Sequence, residues 1–347
     1  MVDTVGMRSR SSTLPSPIQR GIRLLRAVLI GAAAALFCVQ SSIVQAEGAG
    51  AWPTRTIHIV VPFAAGTFVD VISRIVGSKL ADAVGQPVVV DNRPGASGNI
   101  ASELVANAPP DGYTLLNGGV FVTMLPAIYG DKAVNPAAFA PITRMTNAPM
   151  VIVAHPSLGV NTLADLVVRA KREPARIAYA TSGIGTTPHL AAAMWSQRAG
   201  VELLHIPYAN TNAAIKDVLS GEVPVMFSFL GTVEAFLRSH QLRALAVTSA
   251  KRDARWPDIP TVAEQGYPGF DVATWSGLLA PAGTPPEIID RLYREIARIL
   301  QQSEVRDKIL ALGNEPIGNT PEQFAAEIRA DVPRWKDVAT KAGIRAE

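Results

Sequence analysis

The chain has 347 residues, of which 48% are hydrophobic, enough for one large folded domain or two ordinary ones. Its formal net charge of +3 would by itself suggest a nucleic-acid partner. The first 46 residues, however, hold five of the 32 Lys and Arg residues and one of the 29 Asp and Glu residues. The remaining 27 basic and 28 acidic residues give a net charge of −1, so charge does not favour nucleic-acid binding.

The N-terminal segment has the pattern of a secretory signal peptide. Three arginines precede the apolar run 27–39, and "SSIVQA" ends at Ala46 with small residues typical of a cleavage site. The apolar run is short for a membrane span, which makes an uncleaved anchor the less favoured alternative. The prediction is a signal peptide at 1–46, cleaved after about Ala46, with Met7 as an alternative start. The one cysteine, Cys38, would leave with it, and the mature chain would then have no disulfide and no thiol nucleophile.

Strand-like and helix-like patterns alternate through the rest of the chain. The apolar run 56–63 predicts a strand, followed by a helix over Asp70 to Val84 that Gly85 ends. Further strands are predicted at 87–92, 113–119, 149–155, 176–183, 223–230 and 242–250. Further helices are predicted at 98–108, 162–173, 188–200, 213–221 and 233–240, with two charged amphipathic helices ending the chain. This alternation predicts an α/β protein with mainly parallel sheets, and the length predicts two lobes.

Motifs that would indicate catalysis are incomplete. "TSGIG" resembles the Gly-rich turn of short-chain dehydrogenases, but it lies in mid-chain and no tyrosine has a lysine four residues later. The nucleophile pattern Gly-x-Ser-x-Gly is absent, and the five histidines form no HExxH motif. His189, at a predicted helix start, is expected to orient the preceding turn, and His58 and His205 are expected to be structural. No catalytic residue, cofactor or metal is predicted, and a cleft enzyme remains a less favoured alternative.

Two strand-to-helix turns are more informative. "PFAAGTFVD" and "ATSGIGTTPH" are both rich in small and hydroxyl residues and lead into helix N-termini, where free backbone N–H groups and the helix dipole favour an anion. Two such N-termini facing one cleft would bind a carboxylate without an arginine. The alternative is that both are ordinary turns without a ligand.

Several long motifs in order identify a resemblance that covers nearly the whole chain after the signal peptide. "NRPGASGN" and "PPDGYTLL" are the most specific, and "IHIVVPFAAG", "YATSGIGTTPHLAAAMW" and "WSGLLAPAGTP" extend the match. The sequence resembles the periplasmic solute receptors of tripartite tricarboxylate transporters, also called Bug proteins. The resemblance implies a hinged, two-lobed α/β type II periplasmic-binding-protein fold with a ligand cleft between the lobes. Lobe 1 would comprise 52–148 plus 272–347, and lobe 2 would comprise 149–271.

The resemblance also implies a function. The protein would be a periplasmic, monomeric, non-enzymatic receptor that captures a small carboxylate and hands it to the membrane permease subunits of a tripartite transporter. The rival within the same fold is an orphan receptor that presents its ligand to a signalling partner. Nucleic acid is not expected as a partner.

Most of the expected ligand-binding residues come from the same match, and Phe68, Asn210 and Ser228 are added where the sequence departs from the family pattern. The two turns contribute Phe63, Ala64, Ala65, Gly66, Thr67, Phe68 and Asp70, and Thr181, Ser182, Gly183, Gly185, Thr186, Thr187 and His189. Tyr208, Asn210, Ser228 and Trp275 complete the set. Asp70 is expected to cap the first helix by accepting its free N–H groups.

The sequence departs from the family pattern in ways that bear on the ligand. Thr67 replaces a glycine that is usual in the first turn, and Phe68 follows it. Together with Phe121, Phe229 and Trp275, Phe68 would form an apolar wall suited to an aromatic or longer apolar acid. Core packing is the alternative role for each of these four aromatic side chains.

Overall fold

The structure is a computed structural model that describes residues 52–208 and 211–345. The predicted signal peptide, with its cleavage point at Ala46 and Cys38, lies outside the described residues, and so does Asn210. No helix within the described ranges is long and apolar enough to cross a lipid bilayer.

The described residues form ten strands and ten α-helices. The strands are β1 (Ile57–Val61), β2 (Val88–Asn92), β3 (Thr114–Gly119), β4 (Phe139–Ala154), β5 (Ala178–Thr181), β6 (Leu204–Pro207), β7 (Val225–Phe229), β8 (Arg243–Val247), β9 (Ala273–Pro281) and β10 (Glu315–Pro316). The helices are α1 (Phe68–Val84), α2 (Asn99–Ala106), α3 (Phe121–Tyr129), α4 (Leu163–Arg172), α5 (Thr187–Ala199), α6 (Thr211–Leu219), α7 (Leu230–Arg238), α8 (Pro286–Leu300), α9 (Ser303–Ala311) and α10 (Pro321–Lys341).

The long strand β4 belongs to two sheets. Its first part pairs with β9 as far as Pro149, in a first sheet with the order β2-β1-β3-β9-β4, to which β10 adds. From Met150 onward β4 pairs with β7 and β8, in a second sheet that continues through β5 to β6. The change of pairing partner therefore falls beside the predicted lobe boundary at 148 and 149, although the boundary itself stays a prediction.

The α/β class is confirmed, but the expectation of mainly parallel sheets is wrong. The pairs β1–β2, β1–β3, β5–β6 and β5–β7 are parallel, whereas β9 is antiparallel to β3 and β4, and β4 is antiparallel to β7, β8 and β10. The long strands β4 and β9 run beside each other between the two sets of parallel strands. Both strands are antiparallel to every strand with which they pair.

Burial explains where the helices lie. Strand β1 is an apolar run whose Ile57, Ile59 and Val61 pack against α1 and α8, in a core that includes Ile72 and Leu292. A second core covers the second sheet with α6 and α7, and a third lies on the opposite faces with α2, α5 and α10. These cores hold the strand ends, and hence the turns that follow them, in fixed positions.

Most predicted helices and strands are confirmed, and the main corrections concern strands that depend on pairing with distant parts of the chain. Helix α1 begins at Phe68, two residues earlier than predicted, and ends before Gly85 at a φ of 71°. The sequence did not predict α3, the strands β6, β9 and β10, or the first ten residues of β4. Three helices, α8 to α10, follow β9 instead of the predicted two.

Candidate functional site

One cavity of about 450 Å³ lies at the carboxyl ends of strands from both sheets. Phe63 follows β1, Gly119 ends β3, Ser182 follows β5 and Phe229 ends β7, and all four line this cavity. The carboxyl ends of parallel strands are the usual ligand-binding edge of α/β sheets. We call this space the site cavity.

The N-termini of α1 and α5 both reach the site cavity. Thr67 and Phe68 line it at the start of α1, and Thr186 and Thr187 line it at the start of α5. Within the described ranges, the backbone N–H groups of the first three residues of α1 have no hydrogen-bond partner. The same holds for the N–H groups of Thr187 and His189 in α5. Two helix N-termini therefore meet the cavity that the two turns share, as the sequence predicted, and the lining residues Phe68, Val69 and Thr187 carry free donors there.

The wall of the site cavity is neutral. None of the described residues that line it carries a charged side chain, and apart from the indole N–H of Trp275 its polar side-chain groups are hydroxyls. The hydroxyl residues are Thr67, Ser97, Ser182, Thr186, Thr187, Thr211 and Thr274. A small anion in this cavity would be stabilised by N–H and O–H donors and helix dipoles rather than by a cationic side chain.

Aromatic rings form much of the remaining wall. Phe63 meets Phe121 edge to face at 5.8 Å, and Phe68 meets Phe229 at 6.4 Å with the ring planes tilted by 51°. Trp275 lines the cavity while its ring packs edge to face against the buried Phe324 at 5.0 Å, so it serves the core as well. All four aromatic side chains proposed as an apolar wall line the site cavity.

Asp70 stabilises the first turn without lining the site cavity. Its buried carboxylate accepts the Gly66 N–H at 2.9 Å and the Asn92 side-chain amide at 2.9 Å, and it pairs with Arg74 at 2.9 Å. Burial raises the pKa of Asp70, but the hydrogen bonds from Arg74, Gly66 and Asn92 outweigh it, and the pKa lies below its ordinary value. The prediction that Asp70 caps the helix is wrong, because the N–H group it accepts precedes the N-cap residue Thr67.

His189 holds the second turn in a similar way. Its Nδ1 accepts the Gly185 N–H at 3.1 Å, which confirms the expected role in orienting this turn and leaves the ring proton on Nε2. The ring stacks on His205 at 3.9 Å, and His205 Nε2 lies 2.7 Å from the Thr181 hydroxyl. Burial lowers the pKa of His189 to about 3 and that of His205 to about 4, so both are neutral at pH 7.

The structure divides the predicted site residues into two groups. Those that line the site cavity are Phe63, Thr67, Phe68, Ser182, Gly185, Thr186, Thr187 and Trp275. Those that do not are Ala64, Ala65, Gly66, Asp70, Thr181, Gly183, His189, Tyr208 and Ser228. The alanines and Gly66 are exposed on the first turn, Asp70, Thr181, His189 and Ser228 are buried in the scaffold, and the Tyr208 hydroxyl donates to Asp217 at 2.7 Å.

Sequence reasoning missed several lining residues. Ser97 is exposed, has a φ of 54° and lies inside the "NRPGASGN" motif, which was therefore a usable signal. Thr274 precedes the predicted Trp275, and its hydroxyl lies 3.2 Å from that of Thr187. Gly118 and Met124 reach the cavity through β3 and α3, and nothing in their local sequence marks them.

Comparisons with known proteins identify the family of the chain. The family model described as "Tripartite tricarboxylate transporter family receptor" matches residues 72–344. Protein BugT of Bordetella pertussis is 34% identical over 89% of this chain and 96% of its own length. Among solved structures, R. palustris Rpa4515 with adipate is 34% identical, covers 85% of this chain and 100% of that chain, and has a TM-score of 0.72.

A second solved structure is MatC (Rpa3494) from Rhodopseudomonas palustris with bound malate. It is 30% identical, covers 83% of this chain and 99% of that chain, and has a TM-score of 0.68. Family match and structural similarity agree on a receptor rather than an enzyme, and they confirm the fold class that the resemblance implied. The chain belongs to the tripartite tricarboxylate transporter family receptors, which are periplasmic solute-binding proteins of the TctC and Bug type.

Proposed function

We propose that this receptor captures a small carboxylate with an apolar or aromatic body in the site cavity and delivers it to the permease of a tripartite transporter. The observation that carries the proposal is that the N-termini of α1 and α5 line one cavity whose wall is aromatic and has no charged side chain among the described residues. The carboxylate would lie at the helix N-termini, and the apolar body would lie against Phe63, Phe68 and Trp275. Solved relatives with bound adipate and malate support a carboxylate as the ligand class.

The magnitudes are sufficient for useful affinity. Each helix dipole contributes about 0.3–1 kcal/mol, and each hydrogen bond to a charged acceptor contributes about 1.5–3 kcal/mol. A micromolar dissociation constant corresponds to about 8 kcal/mol. Three or four donors, two dipoles and the burial of one apolar body reach this value after the cost of ordering the ligand.

Calorimetry with the purified mature chain tests the ligand class. Benzoate is expected to bind with a micromolar dissociation constant and at least tenfold more tightly than citrate or succinate, because the wall offers no cationic side chain for a second carboxylate. Benzamide is the matched control ligand, since it keeps the ring and removes the charge, and it is expected not to bind. Tighter binding of citrate or succinate than of benzoate would contradict the apolar wall.

The proposal includes export and closure. Residues 1–46 would be removed on export to the periplasm, which the mass of the secreted protein tests directly. The lobes 52–148 plus 272–347 and 149–271 would close on the ligand about the two crossings near 148 and 271. The radius of gyration from small-angle X-ray scattering should then fall when benzoate is added, and an unchanged radius at saturating benzoate would contradict closure.

A further inference from the structure

A second cavity of about 240 Å³ adjoins the site cavity. Phe68 and Phe229 line both cavities, and their rings, 6.4 Å apart, form the partition between them. Both side chains are only half-buried, so neither ring is enclosed on all sides by the core. We call this space the rear cavity. Its other walls come from the β4 crossing at Ala148 and Pro149, the first turn of α7 and the segment 312–314.

Asn314 gives the rear cavity a specific chemical character. The residue is 3% exposed, and its side-chain Nδ2 donates to the Leu312 carbonyl at 3.0 Å. Its Oδ1 is buried and has no hydrogen-bond partner among the described residues. A buried polar atom without a partner is costly, so this amide oxygen, on a residue that lines the rear cavity, is a candidate acceptor for a ligand once its neighbours shift to admit that ligand.

The lining also decides which kind of donor fits. No described residue of the rear-cavity wall carries a charge. An ammonium group would lose its hydration without gaining a counter-ion there, and a carboxylate would be repelled by the Asn314 oxygen. A neutral donor such as a hydroxyl or a primary amide avoids both penalties.

We propose that the half-buried Phe68 and Phe229 rings, which are in contact at 6.4 Å, turn apart to let the tail of a bound carboxylate pass into the rear cavity, where Asn314 Oδ1 accepts a hydrogen bond from a neutral hydroxyl or amide at the tail's end. This inference rests on the proposed function, since the carboxylate of the same ligand occupies the site cavity. It deepens that function by naming the substrate class as an acid with a polar, uncharged distal group. The site cavity alone would accept a plain apolar acid.

Calorimetry with straight-chain acids of four to eight carbons tests the inference. Each unsubstituted monocarboxylate is compared with its ω-hydroxy counterpart and with the dicarboxylate of equal length. Acids too short to reach the rear cavity are expected to bind alike. Once the chain is long enough to reach that cavity, the ω-hydroxy acid is expected to bind at least fivefold more tightly than both the unsubstituted acid and the dicarboxylate. Asn314→Leu should abolish this difference, whereas Asn107→Leu, at an exposed asparagine remote from both cavities, should preserve it.

A second variant keeps the test decisive if Asn314→Leu does not fold. Thr232 is exposed at the rim of the rear cavity, and Thr232→Trp is expected to fill that cavity and remove the advantage of the ω-hydroxy acids. If plain and ω-hydroxy acids bind equally at every length, the rear-cavity inference is wrong and carboxylate capture in the site cavity stands. If the dicarboxylates bind most tightly, a charged tail is recognised and the inference is again wrong. If none of the acids nor benzoate binds, the proposed function itself fails.

Discussion

His189 and His205 stack with their ring centroids 3.9 Å apart and their planes 15° apart, directly behind the turn that lines the site cavity. Because burial lowers the pKa of His189 to about 3 and of His205 to about 4, both rings stay neutral in the folded protein at pH values where an unfolded histidine is protonated. Protonation of His189 at Nδ1 would also break the hydrogen bond from the Gly185 N–H.

The first prediction concerns stability against pH. Below about pH 6.5 the two histidines are protonated in the unfolded chain but stay neutral in the folded protein. The free energy of unfolding therefore falls as pH falls from about 6.5 towards 4. The pair should account for a loss of about 5 kcal/mol by pH 4.5, given two protons, two pH units and about 1.4 kcal/mol per proton and pH unit. Urea unfolding at intervals between pH 7.5 and 4.5 measures this loss.

A matched pair of variants isolates the histidines. His205→Gln should reduce the pH-dependent loss to about half, while His240→Asn, at an exposed site where φ is 57° and asparagine is tolerated, should leave it unchanged. Burial raises the pKa of Asp331, which acts in the opposite sense near pH 4, so the comparison between variants is the decisive quantity. Equal pH slopes for wild type and His205→Gln would contradict the prediction.

The second prediction concerns Gly185, where the second turn meets α3. A Cβ at this position would lie 3.0 Å from Ile128 Cδ1, and the φ of 72° disfavours any side chain. Gly185→Ala is therefore expected to lower the free energy of unfolding by about 1–2 kcal/mol and to weaken benzoate binding at least threefold. Differential scanning calorimetry and titration calorimetry measure the two effects.

Gly200→Ala is the matched control for that substitution. Gly200 ends α5 with a φ of 61°, and an added Cβ would meet no atom within 4 Å. It should lose similar stability through backbone strain but keep wild-type benzoate affinity. If both variants bind benzoate as the wild type does, the contact between Gly185 and Ile128 does not shape the site cavity.

The fold was largely predictable where structure is encoded locally. The apolar run of β1, the helix stop at Gly85 and the loop-to-helix pattern before α5 each require only a few neighbouring residues. Strand β9 and the first part of β4 were missed because long-range pairing creates them. β4 contains Pro141 beside a register irregularity and Pro149 at the change of pairing partner, and proline normally argues against a strand interior.

The site was predictable to the level of the turn but not of the side chain. The glycine- and hydroxyl-rich turns indicated which segments would reach the cavity, because helix N-termini follow them directly. Which residues face the cavity depends on contacts from elsewhere in the chain. The Asp70 carboxylate pairs with Arg74 and Asn92 and not with groups at the cavity wall, and the Tyr208 hydroxyl donates to Asp217.

The third prediction tests the support behind the first turn. Asp70→Asn keeps the size of the side chain but removes the charge that binds Arg74 and the Gly66 N–H. We expect a loss of about 1–3 kcal/mol in unfolding free energy and about tenfold weaker benzoate binding, because the turn before Thr67 loosens. Relief of charge repulsion with the bound anion acts the other way but is small, since Arg74 already compensates Asp70. Asp82→Asn, on the exposed face of the same helix, is the control, and equal benzoate affinity in both variants would contradict the role of Asp70.

The fourth prediction addresses the donors at the start of α5. Thr187 lines the site cavity with its hydroxyl 3.2 Å from that of Thr274, and Thr187→Val replaces that hydroxyl by a methyl group of similar size. If the hydroxyl donates to the carboxylate, benzoate affinity should fall about tenfold, as expected for one hydrogen bond to a charged group, while stability changes by less than about 1 kcal/mol. Thr340→Val, on the exposed surface of α10, should change neither quantity. Unchanged benzoate affinity in Thr187→Val would place the carboxylate away from this helix N-terminus, and would leave the dipole of α1 as the main source of anion affinity.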